Sequence, residues 1–419
     1  MNDFTFPTYG TFLLMGVLPF WGYSQTVNTG DFHVSRGSQF SSIGDFHNTL
    51  DATFINNGEA FVYADFNNNG SVDFTDEKQG ITYFVGSNIQ VIDGDNISYF
   101  YDVLFNNPSS LSSSFELKGT ISIENKANFA QGILKNDEFG GLIIFESEAE
   151  HTGVDNEGHV DGLVQKIGDA TFEFPIGDNQ IFRPASIGTT NQADHIFKGK
   201  YLFVNPNTAY PVNNKENTII KVNNAEYWTI TNASEDHSAI LTLSWDTSTT
   251  PIEFIDNHDY ALHIVRWDET LQRWLDEGGV IDVQNQSVSS PITLPKNGIF
   301  TLGLVLKNTE TTVDFEVFNA LSANNDGIND YFRIDNIQNL ANNSVEIYNR
   351  WGVKVFSTTN YDTNGNVFKG ISKGRVTIDS KSLLPTGTYF YILQYDAPSN
   401  SRTTNVRSKN VGYLYLTSE

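Results

Sequence analysis

The sequence predicts an all-β chain, on three observations. Apolar residues alternate with a period of two in segment after segment, as in "EAFVYADF", "SNIQVI", "GTISIE" and "AILTLSW", with β-branched and aromatic residues on the buried phase. No stretch sustains helical periodicity over about 12 residues. Gly, Asn, Asp and Ser gather at the breaks, where they supply turn chemistry at short intervals. The expected architecture is a short β-solenoid-like N-terminal region followed by two immunoglobulin-like β-sandwich domains.

The elements follow in chain order. Residues 1–24 read as a signal peptide: "TFLLMGVLPFWGYSQT" holds an apolar run of about ten residues, then Gly22 and Ser24 in a small-x-small arrangement, which predicts cleavage between Ser24 and Gln25. The leader "MNDFTFPTYG" carries Asp3 and no Lys or Arg, a departure from a basic start that leaves an ordinary buried strand as the alternative. The run is interrupted by Pro19 and is too short for a spanning helix of about 20 residues.

Residues 25–168 repeat short strands with Asn-containing stops, "TFINNG" at Thr53, "VLFNNP" at Val103 and "ISIENKANF" at Ile121. A spacing of roughly 20 to 25 residues suits stacked solenoid coils with asparagines piled at the corners; an antiparallel sandwich is the other reading. Residues 169–307 place strands such as "EYWTI", "ALHIVRW" and "FTLGLVL" at the short, regular spacing of an immunoglobulin-like sandwich. There Trp228, Trp245, Trp267 and Trp274 read as core anchors and hairpin partners rather than a sugar platform. Polar residues 308–312 form a linker, and residues 313–419 a last domain.

Fifty acidic residues stand against 25 basic ones, for a formal net charge of −25. That field repels phosphate backbones, so nucleic acid is excluded as an expected partner. There is no cysteine, which removes disulfides, thiolate metal sites, a cysteine nucleophile and lipidation at an N-terminal cysteine. No GxSxG elbow, HExxH pair or GxxxxGK[ST] loop occurs, and the chain is read as non-enzymatic.

The best metal candidate is "DFNNNGSVDFTDE". Asp65, Asn67, Asn69, Asp73 and Asp76, with Gly70, fall at the alternating oxygen-donor positions of a calcium loop, although position 12 is Asp and the flanks read as strands. The plain alternative is an Asn-rich corner between strands. His151, Asp155, His159 and Asp161 lie in a glycine-broken segment and read as a surface loop. In "NALSANNDGINDYFRI" the calcium spacing fails, because position 1 is Ser322 and position 12 is Arg333.

Two resemblances add to this. "HVDGLVQKIGDATFEFPIGDNQIFRP" resembles a segment of secreted multidomain proteins of Bacteroidota that follows solenoid-like repeats and opens a sandwich domain. "NALSANNDGINDYFRIDNIQNLANNSVEIYNRWGVKVF", with "LPTGTYFYIL" and the closing "GYLYLTSE", strongly resembles the gliding motility-associated C-terminal domain, the type B sorting domain of type IX secretion cargo in Bacteroidota. The matching residues are Asn324, Asp326, Gly327, Asn329 and Asp330 in the first turn and Asn349, Arg350, Trp351 and Gly352 in "NRWG". Leu384, Pro385, Gly387 and Tyr389 follow in the late hairpin, then Gly412 and Tyr413 in the last strand. Ala323 and Asn325 stand where such domains more usually have Pro and Gly.

The resemblance implies a cell-surface or secreted protein, associated with the outer membrane and linked to adhesion or gliding motility. Its implied partners are the type IX outer-membrane translocon with its shuttle barrel, a PorP/SprF-like outer-membrane barrel, and a surface glycan. Asp326, Asn329, Asp330 and Arg350 are the expected exposed sorting surface, and the C-terminal strand is expected at a sheet edge. The alternative cargo is a secreted carbohydrate-active enzyme or a calcium-dependent lectin under the same label.

Overall fold

The computed structural model describes residues 24–418 apart from 110–111, 189–193, 233–237, 258, 292–293, 296–297, 307–314, 325, 350–352, 373–382 and 398–405. The proposed signal peptide up to residue 23 and the linker at 308–312 thus lie outside the described residues. No helix among the described residues is long and apolar enough to cross a membrane.

From Gln25 onward the alternating segments wind into a three-faced parallel β-solenoid. Its first face stacks Gln25–Asn28, Asp45–Asn48, Phe66–Asn68, Gln90–Asp93, Phe115–Leu117, Leu134–Lys135, Val160–Asp161 and Ile176–Asp178, each parallel to the next. The second face carries Asp31–Val34, Thr53–Asn56 and Ser71–Asp73, then the leading halves of Ser98–Asn106 and Thr120–Gln131, then Leu142–Phe145 and Val164–Ile167. The third carries Gln39–Ser42, Glu59–Val62 and Ile81–Phe84, the trailing halves of the two long strands, and Glu150–Thr152. Gln25 faces Asp45 and Gln90 faces Phe115, so a turn of the coil takes close to the anticipated length.

Period-two alternation explains the packing: one phase of each strand points into the coil, the other out. Phe46, Phe66, Ile92, Phe115, Leu134 and Val160 line the inside of the first face and are buried. Phenylalanines stack rung on rung, with centroids 5.5 Å apart for Phe46 and Phe66 and 5.6 Å for Phe84 and Phe105. Offset stacking of this kind adds about 0.5–1.5 kcal/mol per pair beyond the area buried.

The corner between the first and second faces is an asparagine ladder. Asn28 Nδ2 donates to Asn48 Oδ1 at 2.9 Å, Asn48 Nδ2 to Asn68 Oδ1 at 2.9 Å, and Asn68 Nδ2 to Ser98 Oγ at 3.0 Å. The same amides satisfy backbone at the bend, Asn48 reaching Ser71 O and Asn68 accepting from Gly70 N. Gly70 is required here by close approach, because a Cβ would lie 2.2 Å from Ala52 O on the neighbouring coil.

The second face does not stop at the solenoid. Val164–Ile167 pairs antiparallel with Ile196–Leu202, which continues through Tyr227–Asn232 to Gly298–Leu306. Gly298–Leu306 also pairs with Ile219–Val222 and Tyr260–Asp268, which gives it three partner strands. A second antiparallel sheet runs Phe172–Phe174, Ala185–Ile187, Leu241–Ser244, Ser287–Ser289, Val280–Asp282. Both sheets share one core that extends without a break from Val34 in the solenoid to Leu304. The tryptophans sit as expected. Trp228 and Trp245 are buried in that core, while Trp267 and Trp274 face each other across a hairpin at 5.7 Å and are buried on the sheet's other side.

The last domain is a separate core around a five-stranded sheet. Its order is Ala320–Ser322, Val406–Thr417, Gly387–Ala397, Ala341–Asn349, Lys354–Thr359, with Glu316–Val317 and Ile334–Asp335 paired beside it. The expected edge position of the C-terminal strand holds up to Leu414 and is corrected beyond it. It is flanked on one side along its length by Gly387–Ala397 and on the other, at its end, by the parallel strand Ala320–Ser322. Leu414 and Leu416 of that strand are wholly buried.

Candidate functional site

The C-terminal domain assembles its signature residues from the turns between these strands. In the first turn, Asn324 Nδ2 donates to Asp326 Oδ2 at 2.8 Å, Ile328 N to Asp326 Oδ1 at 2.8 Å, and Gly327 N to Asp330 Oδ2 at 2.8 Å. The bonds from Ile328 N, the largest influence, and from Asn324 hold the Asp326 carboxyl below its ordinary value. Asn329 adopts left-handed backbone (φ 54°) and its carbonyl accepts from Ser322 N, which closes the turn onto the sheet. Asp326 and Asn329 are exposed, and Asp330 is half-buried. Ala323 donates its N–H to Thr417 O at 2.8 Å, a bond a proline at this position would lack.

Asn349 closes the next turn: its N donates to Val353 O and its Oδ1 accepts from Val353 N, both at 2.9 Å. Arg350, Trp351 and Gly352 lie outside the described residues. In the late hairpin, buried Tyr389 donates its hydroxyl to Pro385 O at 2.8 Å. Gly387 pairs with Leu416, and space around it is open. Gly412 has a steric reason. The Tyr391 ring lies over it, and a Cβ there would sit 2.7 Å from the Tyr391 hydroxyl. Tyr413 and Tyr415 point outward from the same strand, 47% and 49% exposed. The signature is thus part scaffold, at Asn349, Tyr389 and Gly412, and part exposed polar and aromatic surface.

The calcium-loop residues are placed differently from a single loop. Asp65 immediately precedes the first-face strand Phe66–Asn68 that carries Asn67, Asn69 lies past its corner, Asp73 on the second face, and Asp76 beyond it. Asp65 Oδ1 accepts from Val91 N at 2.8 Å, Asn67 Oδ1 from Asn69 Nδ2 at 3.0 Å, Asn69 Oδ1 from Asp95 N at 3.2 Å, and Asp73 Oδ1 from Phe74 N at 2.8 Å. The corner brings Asn67 and Asn69 together and leaves Asp73 on another face. Among the described residues no three His, Asp or Glu side chains gather to hold a metal ion.

The surface loop expected at 151–161 is present at residues 153–157, with Asp155 exposed, and is corrected at its two histidines and at Asp161, which is buried in the strand Val160–Asp161. His151 lies in the strand Glu150–Thr152 with its Nε2 2.6 Å from Glu173 O, and His159 is wholly buried with its Nδ1 2.9 Å from Asp155 O. Burial lowers the pKa of both rings. Gly153 and Gly158 lie in the loop that joins the third solenoid face to the first.

Sequence reasoning missed a buried ionic network at the heart of the sandwich. Arg183 donates through Nη2 and Nε to Glu226, at 2.9 to 3.2 Å, and neither side chain is more than 1% exposed. Tyr201 and Thr250 hydroxyls add bonds of 2.7 and 2.6 Å to the same carboxylate, and Arg183 packs against the Trp228 and Tyr201 rings. Arg183 and Glu226 are 43 residues apart and no local pattern links them.

The fold and the C-terminal turns define a β-rich body followed by a separate domain built on a five-stranded sheet. Residues 315–416 match the CHU_C type IX secretion signal domain, the family the resemblance pointed to. No curated protein and no solved structure matches the chain. The chain is therefore cargo of the type IX secretion machinery, with which its last domain interacts, and it is exported to the cell surface or the extracellular space.

Proposed function

We propose that the chain is a non-enzymatic surface or secreted protein that works in adhesion or gliding motility. The supporting observation is the outward side of the solenoid. Rows of side chains there run along parallel ladders rather than into a closed cleft, and they include Phe61 stacked on Tyr83 at 4.3 Å and the exposed Tyr63 and Tyr99. Stacked, partly exposed aromatics on a rigid face give contact area with little entropy left to lose on binding. With no cysteine to lipidate, retention at the outer membrane falls to protein contacts, for which a PorP/SprF-like barrel is the proposed partner and Asp326, Asn329, Asp330 and Arg350 the proposed surface. The test is attachment and colony spreading of a host strain lacking this chain, with and without the full chain restored. Unchanged behaviour in the deletion strain overturns the reading.

One observation favours a second reading, a carbohydrate-active enzyme. Glu124 and Glu146 line one groove, with the Ser122 hydroxyl donating to Glu146 at 2.5 Å. Release of reducing ends from polysaccharide by the purified chain, abolished in Glu146→Gln, would establish it over the first.

A further inference from the structure

We propose that this groove, on the second face of the solenoid, binds a neutral polysaccharide chain laid along the coil axis. The proposal rests on the adhesion reading and names its ligand class. The groove encloses about 270 Å³ and is lined by Phe74, Tyr99, Ser122, Glu124 and Glu146. Ser98 pairs with Val72, Tyr99 with Ser122, and Ser122 with Ile144, so the lining comes from four successive turns of the coil. Rungs about 4.8 Å apart make the groove roughly 14 Å long, suited to a short run of sugar units rather than to one.

The lining chemistry is that of saccharide recognition. Tyr99 is 42% exposed, and Phe74 is braced edge-on against Tyr101 at 5.5 Å, so ring faces are presented to the C–H face of a pyranose in fixed positions. The two carboxylates offer acceptors for sugar hydroxyls. Each is oriented in advance, Glu146 by Ser122 and Glu124 by Lys78 at 2.6 Å, and each keeps acceptor capacity, since a carboxylate has about four lone-pair sites. A net charge of −25 and the Glu146 carboxylate disfavour an anionic polymer, since Lys78 offsets Glu124 alone. The occupant is therefore an uncharged glycan.

The test uses the purified full chain on an array of neutral oligosaccharides, with polygalacturonate and polylysine as charged controls. At least one neutral hexasaccharide binds, and titration calorimetry with that glycan shows Tyr99→Ala weakening it tenfold or more, with Phe74→Ala and Glu146→Gln each weakening it too. Polygalacturonate does not bind. Tyr99 is exposed, so its variant keeps the wild-type melting temperature, which separates loss of binding from loss of fold. The groove is overturned if no neutral glycan binds, if Tyr99→Ala binds as wild type does, or if polylysine alone binds. Cells displaying Tyr99→Ala are then tested for attachment. Glycan binding that depends on Tyr99, with attachment unchanged, removes the adhesion reading and keeps the groove; attachment without glycan binding does the reverse.

Discussion

Individual side chains set the sharpest expectations. Arg183 and Glu226 form a charge pair that water does not reach, so removing one partner strands the other. Glu226→Gln or Arg183→Leu is expected to lower unfolding free energy by about 3–5 kcal/mol in urea titration, whereas replacing both together should cost less than the two single changes summed. Asp161 gives a pH signature. Burial, with Asp178 beside it, pushes its carboxyl up to about 6 from 3.8. The folded form therefore holds a proton that the unfolded chain gives up, so the group's contribution is present below pH 4 and lost as the pH rises through 6. Asp161→Asn should raise the melting temperature at pH 7, by roughly 2–4 °C, and leave it nearly unchanged at pH 4; equal shifts at both would refute the assignment. At Gly412 the prediction is steric. Gly412→Ala meets the Tyr391 ring and should unfold or loosen the last domain while the solenoid melts as before, read by calorimetric transitions.

At the scale of the element, the asparagine ladder is what the sequence announced most clearly. The stop residues in "TFINNG" and "VLFNNP" include Asn56, whose amide bonds to Thr82 on the next coil, and Asn107, whose amide reaches back to Gln90; both serve corners other than that of the Asn28–Asn48–Asn68 ladder. A corner residue must satisfy both its own bend and its neighbour's, which an amide does with a donor and an acceptor on one side chain and which leaves a readable trace. Asn48→Ala removes the donor to Asn68 and to Ser71 O and is expected to cost about 1–3 kcal/mol, measured by denaturant midpoint. At Asp65 the same trace has two origins, a cation site or a strand whose outward phase is polar. Calcium there remains testable: calorimetry of wild type against Asp65→Ala should differ if calcium binds, and identical heats would dismiss it. What no element could reveal was its neighbour. The pattern of Val164–Ile167 suits a parallel partner and an antiparallel one equally, so its pairing with Ile196–Leu202 was hidden until the chain folded.

For the whole molecule, the sorting role makes a direct prediction. A chain ending at residue 312 should be made and stay behind the outer membrane, whereas the full chain reaches the surface; surface labelling of the truncated form would refute it. Deleting only the last residues from Leu414 should fail in the same way, because Leu414 and Leu416 are core residues of that domain. The address was legible in the sequence because its turns are short and ordered along the chain, as at Asn324 to Asp330 and at Asn349. The cargo's role was less so, since Phe74, Tyr99 and Glu146 converge only through the winding of the coil. One further consequence concerns force. The strand that leads toward the sorting domain, Gly298–Leu306, is hydrogen-bonded to Ile219–Val222, Tyr227–Asn232 and Tyr260–Asp268, inside a core continuous with the solenoid. A body held by its last domain against drag is pulled at that strand, and the load must slide several ladders past one another instead of peeling a single edge. Such a joint yields by shear and resists force better than a peeled edge.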